Sequence, residues 1–481
     1  MPSLPTTTLR AHLSTRISTR SLAAVATSRK PKEEGSIASV FTSLTGEAPV
    51  ALPPRFADLK KQLWKDALAE SWREVTRELK DATEEVAARG TDLIPVIPFE
   101  DVKSGLSAQQ QADIKKRGVV VVKGGVAKEE ALGWKDSIRS YIAANKEKVK
   151  GFPDNNIQAY EIYNSAAQTR ARTHPALITT QRALLQLWHT SDAGSPVSLR
   201  TPVAYFDRLR IRTPGDRSFV LGPHIDGGSV ERWEDPGFRA CFGRILEGRW
   251  REHDPFDASP RIDAKQDLYH APNQCSVFRP WQGWTSLSTT GPSEGTLLVS
   301  PLLHLATAYL ILRPFFRPSG PGLDNWVVDP ESAEFPGSML GKAQELSAAT
   351  HPHLRLETTM VPAPRVEPGD QIYWHCDTIH AVEGLHAGKS DSSVLYIPAV
   401  PLTEHNASYL RDQRHNFVNG LPAPDFPGGE GESHFVHRGT VDALKDTDGR
   451  RLLGFEAFPI PSNATSVGEQ RVIQVANDIL A

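Results

Sequence analysis

Short segments of β character, separated by turn residues, constrain the fold of this chain more than any other feature. Helical patterns do not follow these segments regularly, whereas a doubly wound α/β sheet needs a helix after nearly every strand. The pattern therefore predicts an antiparallel sandwich or jelly roll with helical additions, a mainly β fold of the α+β type. The segments, separated by clusters of Gly, Pro and Asp, are residues 118–122, 203–212, 296–300, 308–312, 371–375 and 392–399.

Helical patterns dominate the region before these strands. In residues 56–88, apolar side chains recur at three- and four-residue steps, and charged residues fill the opposite face. Arg89-Gly90 then supplies a cationic last turn and a glycine stop. Two further helical patterns, residues 107–116 and 128–145, flank the 118–122 segment. We expect a long amphipathic helix on the outside of the main domain, followed by a buried strand between two helices.

Composition excludes several classes of protein. The 481 residues are 39% hydrophobic and carry a net charge of −3, which excludes wholesale disorder and gives no electrostatic reason to bind nucleic acid. The most apolar run, residues 302–316, is interrupted by His304 and Arg313 and is too short to span a membrane. Three cysteines cannot form a disulfide framework, which favours a reducing compartment. We expect an intracellular protein, cytoplasmic or mitochondrial, with no membrane or nucleic-acid partner.

The first 32 residues differ from the rest of the chain. They contain six Lys and Arg residues, many Ser and Thr, and no Asp or Glu. This composition is typical of a mitochondrial transit peptide, and also of an ordinary disordered basic tail. The remainder of the chain is correspondingly more acidic than the whole.

Histidines paired with acids are the main candidates for chemistry, because the chain lacks the common nucleophile, phosphate-loop and zinc motifs. In His224-Ile-Asp226, which follows an alternating segment and precedes two glycines, residues i and i+2 of a strand project from one face. They supply two ligands of a 2-His-1-carboxylate site, which holds Fe(II) and leaves positions open for a co-substrate and O₂. His380, after a turn and a strand, is the candidate third ligand. A competing set uses His375 and Asp377 with His434 or His437.

The segments around these residues resemble a known group. Gly222-Pro-His-Ile-Asp-Gly-Gly-Ser-Val-Glu-Arg-Trp233, Pro368-Gly-Asp with His380, and the strand 117–126 are similar to the phytanoyl-CoA hydroxylase-like branch of the 2-oxoglutarate/Fe(II) oxygenases. Residues 99–426 more closely resemble an uncharacterised bacterial and fungal family of that superfamily, a domain of unknown function. The resemblance implies a cupin-like double-stranded β-helix core, with His224, Asp226 and His380 binding Fe(II). It also implies oxidative decarboxylation of 2-oxoglutarate, coupled to oxidation of a small-molecule substrate by O₂.

The chain departs from this group in one respect. Members commonly place an arginine about ten residues after the distal histidine, where it binds the 2-oxoglutarate carboxylate, but no arginine lies between His380 and Val400. Arg208 or Arg210, on the strand before the motif, is the first candidate replacement, because a guanidinium fits a carboxylate best. The further candidates are Arg313, then Lys389, nine residues after His380, with Ser393 at the start of the last strand candidate.

A single core accounts for the length of the chain, because Asp226 and His380 must meet at one metal although 154 residues separate them. The predicted organisation is a basic tail (1–32), an N-terminal helical region (33–95), a double-stranded β-helix (96–400) with a large insertion around 235–300, and a C-terminal extension of helices and loops (401–481).

Two other functions remain open at this point. The missing arginine also fits a catalytically silent jelly-roll protein that binds a carboxylate metabolite as a sensor or stress factor. The other is a metal-dependent isomerase, or a dioxygenase that uses no 2-oxoglutarate. Such a protein would bind the metal at the same site but would consume no 2-oxoglutarate. The sequence carries no signal for the oligomeric state.

Overall fold

A computed structural model describes residues 32–46, 50–460 and 466–481. Residues Pro31–Ala481 form one compact unit. The predicted basic tail lies outside the described residues, except for Lys32. No helix in the described ranges is both long and apolar enough to cross a membrane.

The strands are short, as the spacing of turn residues predicts. They are β1 (Val96–Pro98), β2 (Val119–Lys123), β3 (Gly151–Phe152), β4 (Ala159–Tyr160), β5 (Val197–Val203), β6 (Leu209–Arg212), β7 (His224–Ile225), β8 (Trp281–Ser286), β9 (Leu297–Val299), β10 (Phe316–Pro318), β11 (Trp326–Val328), β12 (Gln344–Glu345), β13 (Val361–Pro362), β14 (Gln371–His375), β15 (His380–Val382), β16 (Ser392–Tyr396) and β17 (Val400–Thr403).

The helices cluster before, between and after these strands. They are α1 (Thr42–Thr45), α2 (Arg55–Leu63), α3 (Ala67–Arg89), α4 (Phe99–Ser104), α5 (Ala108–Arg117), α6 (Lys128–Ala144), α7 (Ala166–Arg172), α8 (Pro175–Leu185), α9 (Glu231–Glu234), α10 (Pro236–Ala240), α11 (Gly243–Leu246), α12 (Leu303–Leu312), α13 (Leu356–Thr359), α14 (Glu404–Asn419), α15 (Thr447–Leu452) and α16 (Val467–Leu480).

Two sheets carry the architecture. The larger has eight strands in the order β1-β2-β14-β8-β16-β6-β4-β3, and it is mixed because β1 and β2 run parallel while its other neighbours run antiparallel. The smaller has five strands in the order β12-β7-β15-β9-β13, all antiparallel. The protein is therefore a mixed α/β structure with a large mixed sheet. The predicted mainly β class understates its helices.

Two helix and strand predictions near the core need correction. The predicted strand at 308–312 lies inside α12, which is buried on nearly all sides. When nearly every residue of a segment is apolar, the sequence shows no alternation of polar and apolar residues that would distinguish a helix from a strand. The predicted helix at 56–88 is two helices, α2 and α3, with a break after Leu63. On α3, Trp72 stacks on Tyr309 of α12 with ring centroids 5.3 Å apart, so the long helix covers the core as expected.

The region predicted as an insertion contributes to both sheets. Strands β8 and β9 lie within 235–300, and β8 pairs with β14 and β16 in the middle of the larger sheet. All six residues of β8 are buried, so the strand lacks the alternation that marks a half-buried strand in a sequence. Between β7 and β8, the helical segments begin with α9 and end with the short 3₁₀ helix Ser259–Arg261.

A strap formed by residues 32–45 lies against the smaller sheet. Lys32 makes buried ion pairs with Asp267 (2.7 Å) and Asp425 (3.1 Å). At the other end of the strap, the backbone N–H of Thr42 donates to the carboxylate of Glu345 at 2.7 Å. Glu345 lies on β12, the strand beside β7. The strap therefore crosses the part of the sheet that carries the His224 motif.

Candidate metal centre

The structure brings His224, Asp226 and His380 together. His224 on β7 is the direct antiparallel partner of His380 on β15, so hydrogen bonding within the smaller sheet sets the spacing of the two rings. The ring centroids are 4.2 Å apart. The Nε2 atoms of His224 and His380 lie 3.6 Å and 3.8 Å from the carboxylate oxygens of Asp226, and one ligand atom from each residue lies within 4.8 Å of the others.

Both imidazoles are held in the orientation that a metal site requires. The Nδ1 atom of His224 lies 2.7 Å from the carbonyl oxygen of Gly222, and that of His380 lies 3.0 Å from the carbonyl oxygen of Thr378. A carbonyl oxygen only accepts hydrogen bonds, so each Nδ1 carries the proton and donates it. Each Nε2 is then free to use its lone pair toward the point where the three side chains meet.

Burial and neighbouring charge favour the ligating protonation states. Burial lowers the pKa of His380 to about 3, and the adjacent His224 contributes to the same shift. For Asp226, burial acts to raise the pKa, but His380, His224 and Arg279 outweigh it, and the pKa lies below the usual value. A neutral imidazole at position 380 and an ionised carboxylate at position 226 suit a divalent first-row metal.

Two glycines let the chain turn immediately after Asp226. Gly227 and Gly228 have φ of 77° and 78°, in the left-handed region that disfavours other residues. A Cβ at Gly227 would lie 2.4 Å from Oε1 of Gln266, and one at Gly228 would lie 2.4 Å from the backbone oxygen of Gln266. Both positions therefore require glycine, which explains the Gly pair that follows the His-x-Asp motif.

The loop after Asp226 is fixed by the first residues of α9. The guanidinium of Arg232 donates to the backbone carbonyls of Asp226 (2.9 Å) and Gly228 (2.6 Å). The carboxylate of Glu231 accepts a 2.6 Å hydrogen bond from the backbone N–H of Ser229. Its other oxygen, Oε1, has no hydrogen-bond partner within the described ranges. Burial raises the pKa of Glu231 to about 7.

Because Glu231 is buried, we expect the stability of the folded protein to depend on pH. Its pKa rises from 4.5 to about 7 on folding, so the group favours the folded state below pH 4.5, and this contribution is lost as the pH rises to 7. Glu231→Gln imitates the protonated form, and we expect it to raise the free energy of unfolding at pH 8 by on the order of 2 kcal/mol, with little effect at pH 5. Urea unfolding at both pH values measures this. Glu234→Gln, on the same short helix, is the control, and equal pH slopes for the wild type and Glu231→Gln would contradict the prediction.

A cavity opens beside the three ligand candidates. Its volume is about 110 Å³, whereas one water needs about 10–15 Å³ on the same measure, so a small molecule fits. Trp374 and Phe219 contribute apolar wall. The strap contributes Ile37, Val40 and Phe41, and the Phe41 ring meets His224 edge-on at 4.8 Å between centroids.

Of the five predicted co-substrate residues, the cavity includes Arg208 and Arg210. Arg313 is buried elsewhere, where its guanidinium donates to the backbone carbonyls of Thr350 and Phe316. Lys389 is exposed to solvent, and the hydroxyl of Ser393 donates to the carboxylate of Asp391. The structure therefore does not bring Arg313, Lys389 or Ser393 to the cavity.

Arg279 is a functional candidate that the sequence analysis missed. One terminal nitrogen of its guanidinium lies 3.4 Å from the carboxylate of Asp226, and the other lies 3.5 Å from the carboxylate of Asp207. The guanidinium also lies over the ring of Tyr205, 5.3 Å from its centroid. Arg279 lies two residues before the start of β8. Because β8 has no alternation of polar and apolar residues, the sequence carries no signal that the Arg279 side chain reaches the site.

The second His-x-Asp motif forms a different environment. His375, Cys376 and Asp377 lie within 4.8 Å of one another. However, Nε2 of His375 donates to the carbonyl oxygen of Pro255 at 3.0 Å, and its Nδ1 accepts a 3.0 Å hydrogen bond from the backbone N–H of Asp377. Both ring nitrogens are therefore occupied. Of the two candidate third members, His434 is 68% exposed and pairs with Glu430, and His437 is also exposed.

Comparison with known proteins places the chain in a family. The Gig2-like family profile matches residues 50–455. The chain belongs to the Gig2-like family. It is 35% identical over 381 residues to the uncharacterized protein YbiU of Escherichia coli strain K12, covering 77% of this chain and 87% of YbiU.

Solved structures share the fold of this Gig2-like chain. GlcNAc Inducible Gene 2 of Candida albicans, described as a domain of unknown function, superposes with a TM-score of 0.82 at 31% identity, covering 90% of this chain and 96% of that one. A Salmonella typhimurium LT2 protein provisionally called an oxidoreductase superposes with a TM-score of 0.74 at 31% identity, covering 85% and 99%. The prediction of a family of unknown function with bacterial and fungal members is confirmed.

Proposed function

We propose that this Gig2-like protein is a mononuclear non-haem Fe(II), 2-oxoglutarate-dependent oxygenase of the hydroxylase type, acting on a small molecule. The observation that carries the proposal is the donor set: two imidazole Nε2 atoms and one carboxylate that converge beside a cavity. We further propose that the two sheets are the two halves of a double-stranded β-helix, which would place the protein in the oxygenase superfamily. Strands β7 and β15, neighbours in the smaller sheet, carry the two histidines.

The residues fit the metal and co-substrate that the proposal requires. Three protein ligands would leave other coordination positions of a bound Fe(II) open, which suits an oxygenase better than a closed structural site. When bound, Fe(II) together with 2-oxoglutarate would supply the chemistry by which O₂ oxidises an unactivated substrate. The chain itself holds the ligands: Gly222 and Thr378 carbonyls fix the two rings, and Arg232 fixes the backbone at Asp226.

Arg210 is the residue we assign to the distal carboxylate of 2-oxoglutarate. Its guanidinium makes one hydrogen bond, to the carbonyl oxygen of Gly295 at 3.3 Å, and its Nε has no partner within the described ranges. Burial lowers the pKa of Arg210, so a bound carboxylate would offset an unfavourable buried charge. In this assignment Arg210, on β6 beside β16, takes the place of the arginine that 2-oxoglutarate/Fe(II) oxygenases commonly have after the distal histidine.

Arg210→Gln is expected to weaken 2-oxoglutarate binding by roughly 10- to 100-fold, because a hydrogen bond to a charged group contributes about 1.5–3 kcal/mol. Isothermal titration of 2-oxoglutarate into the Zn(II)-loaded full chain measures the change, and Zn(II) avoids turnover. Lys389→Gln is the matched control, since Lys389 is exposed and should leave the affinity unchanged. Loss of 2-oxoglutarate binding in Lys389→Gln, with Arg210→Gln unaffected, would reverse the assignment.

Anaerobic spectroscopy tests the proposed function itself. The full chain mixed with Fe(II) and 2-oxoglutarate should show a weak visible charge-transfer band, and it should form succinate when O₂ is admitted. His224→Ala should abolish both signals. Wild-type protein with no band and no succinate would overturn the proposal. Binding of 2-oxoglutarate without succinate would instead favour the catalytically silent carboxylate-binding protein.

A further inference from the structure

A second set of hydrogen-bond donors lines the cavity on the side of Asp207. We call it the donor cluster: Arg208, Asn273, Gln274 and Arg279. Neither the metal ligands nor the assigned 2-oxoglutarate residue belongs to it. All four side chains present nitrogen atoms, and the loop 273–279 supplies three of them.

The two arginines are loosely paired. Arg279 lies 3.4 Å and 3.5 Å from its two carboxylate neighbours, and Nε of Arg208 lies 3.4 Å from Asp207. A close guanidinium–carboxylate hydrogen bond is about 2.7–2.9 Å long, so these contacts leave donor capacity unused. Each guanidinium also lies over an aromatic ring, Arg208 over Phe426 at 4.7 Å and Arg279 over Tyr205 at 5.3 Å from the ring centroid. Both rings also line the cavity.

The two amides of the donor cluster are unsatisfied. Neither Nδ2 of Asn273 nor Nε2 of Gln274 has a hydrogen-bond partner among the described residues, although the residues are only 8% and 2% exposed. Leaving a buried donor without a partner costs about 1–3 kcal/mol, which a ligand with acceptor atoms would offset. Asn273 has a left-handed backbone, with φ of 63°, and its side-chain oxygen accepts a 3.2 Å hydrogen bond from Arg208. Its NH₂ group is therefore the end of the amide that has no partner among the described residues.

The charge on the cavity wall indicates the sign of that ligand. Three arginines and two aspartates line the cavity: Arg208, Arg210, Arg279, Asp207 and Asp226. A divalent cation and a doubly charged co-substrate would cancel each other, which leaves one positive charge in excess. Glu161 also faces Arg208 but does not line the cavity, and burial raises its pKa.

We infer that the donor cluster binds the carboxylate of an anionic substrate, a small organic acid. The two guanidinium groups take the carboxylate, and the amides of Asn273 and Gln274 take an adjacent hydroxyl or carbonyl oxygen. The inference rests on the proposed function for the roles of the metal and of Arg210. Binding of the acid itself depends only on the donor cluster.

Ligand-observed NMR on the metal-free full chain tests this inference. The probes are three 2-hydroxy acids, glycolate, lactate and mandelate, each compared with its primary amide. We expect the acids to bind at least about tenfold more tightly than the amides, and Arg279→Gln to remove this preference, since one charged hydrogen bond accounts for about tenfold or more. Arg210→Gln should weaken binding of the acids less than Arg279→Gln does, because Arg210 adds to the positive charge of the cavity wall but does not belong to the donor cluster. Failure to prefer acids, or failure to bind either set, would overturn the inference.

A second variant guards against misfolding of Arg279→Gln. Asp207→Asn removes the carboxylate that competes for both arginines, so it should tighten binding of the acids, and thermal melting checks that each variant is folded. If Arg210→Gln abolishes acid binding and Arg279→Gln does not, the acids occupy the 2-oxoglutarate position and the inference is wrong. If the acids bind as expected but neither the wild type nor any variant binds 2-oxoglutarate, the proposed function is wrong. The inferred acid-binding site would still be supported in that case.

Discussion

Alanine at His224, Asp226 or His380 should weaken binding of Fe(II), or of Zn(II) as a redox-inert substitute, by more than about 100-fold. Loss of a hydrogen bond outside the ligand shell typically costs 10–100-fold in metal affinity, and loss of a ligand should cost more. The three donor atoms lie within 4.8 Å of one another, which is close enough for each to supply one bond to a single ion. Competition with a chromophoric chelator on the full chain measures the affinity of each variant.

His434→Ala is the matched control for these variants. It removes an imidazole that is 68% exposed and was one of the two candidate third members of the competing site, so it should leave metal affinity unchanged. Conservative variants separate ligation from folding: His380→Gln preserves much of the side-chain volume but offers a weaker donor, and it should lose metal with a melting temperature close to that of the metal-free wild type. Tight metal binding that survives all three alanine variants would place the metal elsewhere.

Local spacing made these candidate ligands predictable from the sequence. His224 and Asp226 are two residues apart, and in extended backbone that spacing alone sets their common direction. The strand β14 was predicted at the residues where it occurs, because Pro368-Gly369-Asp370 marks the turn before it. His380 comes a short loop after the end of β14, so the predicted strand also places His380 at the start of the next element. Each of these predictions depends on neighbours within a few residues.

The rest of the cavity wall depends on contacts between distant segments, which spacing does not encode. Arg279 reaches the site because β8 pairs with β14 and β16. Phe41 reaches it because Lys32 and Thr42 fix the strap to residues more than 200 positions away. Arg208 and Arg210 were alternative candidates for binding the co-substrate, and only their different partners in the structure separate the two roles that we propose.

Asp377→Ala should lower the free energy of unfolding by about 3–5 kcal/mol, the usual cost of removing one partner of a buried ion pair. Asp377 pairs with Arg261 through two hydrogen bonds, and both side chains are only 5% exposed. Without the carboxylate, the guanidinium of Arg261 stays buried with its charge uncompensated. Urea unfolding at pH 7 measures the loss. Asp448→Ala is the control, because its partners Arg182 and Arg451 are partly exposed and such pairs contribute less than about 1 kcal/mol.

The pH dependence of stability should change in the same variant. Burial acts to raise the pKa of Asp377, but Arg261 and His375 lower it far below 3.8. A carboxyl whose pKa falls on folding stabilises the protein above its unfolded value, and that contribution is lost as the pH decreases. Wild-type protein should therefore lose stability as the pH falls below about 4, and Asp377→Ala should lose less over the same range.

The two His-x-Asp motifs should then respond in opposite ways to the loss of their carboxylates. At Asp226 the neighbours are two imidazoles with free Nε2 atoms and a loosely paired arginine, so removal of the carboxylate costs metal affinity. At Asp377 both nitrogens of His375 are already bonded to the backbone, and the carboxylate serves Arg261, so removal costs stability and leaves metal affinity unchanged. The double variant Arg261→Met with Asp377→Leu should recover most of the lost stability, since apolar replacement of a buried pair is often neutral or stabilising. If Asp377→Ala loses metal and keeps its stability, the second motif holds the ion and the assignment of the two motifs is reversed.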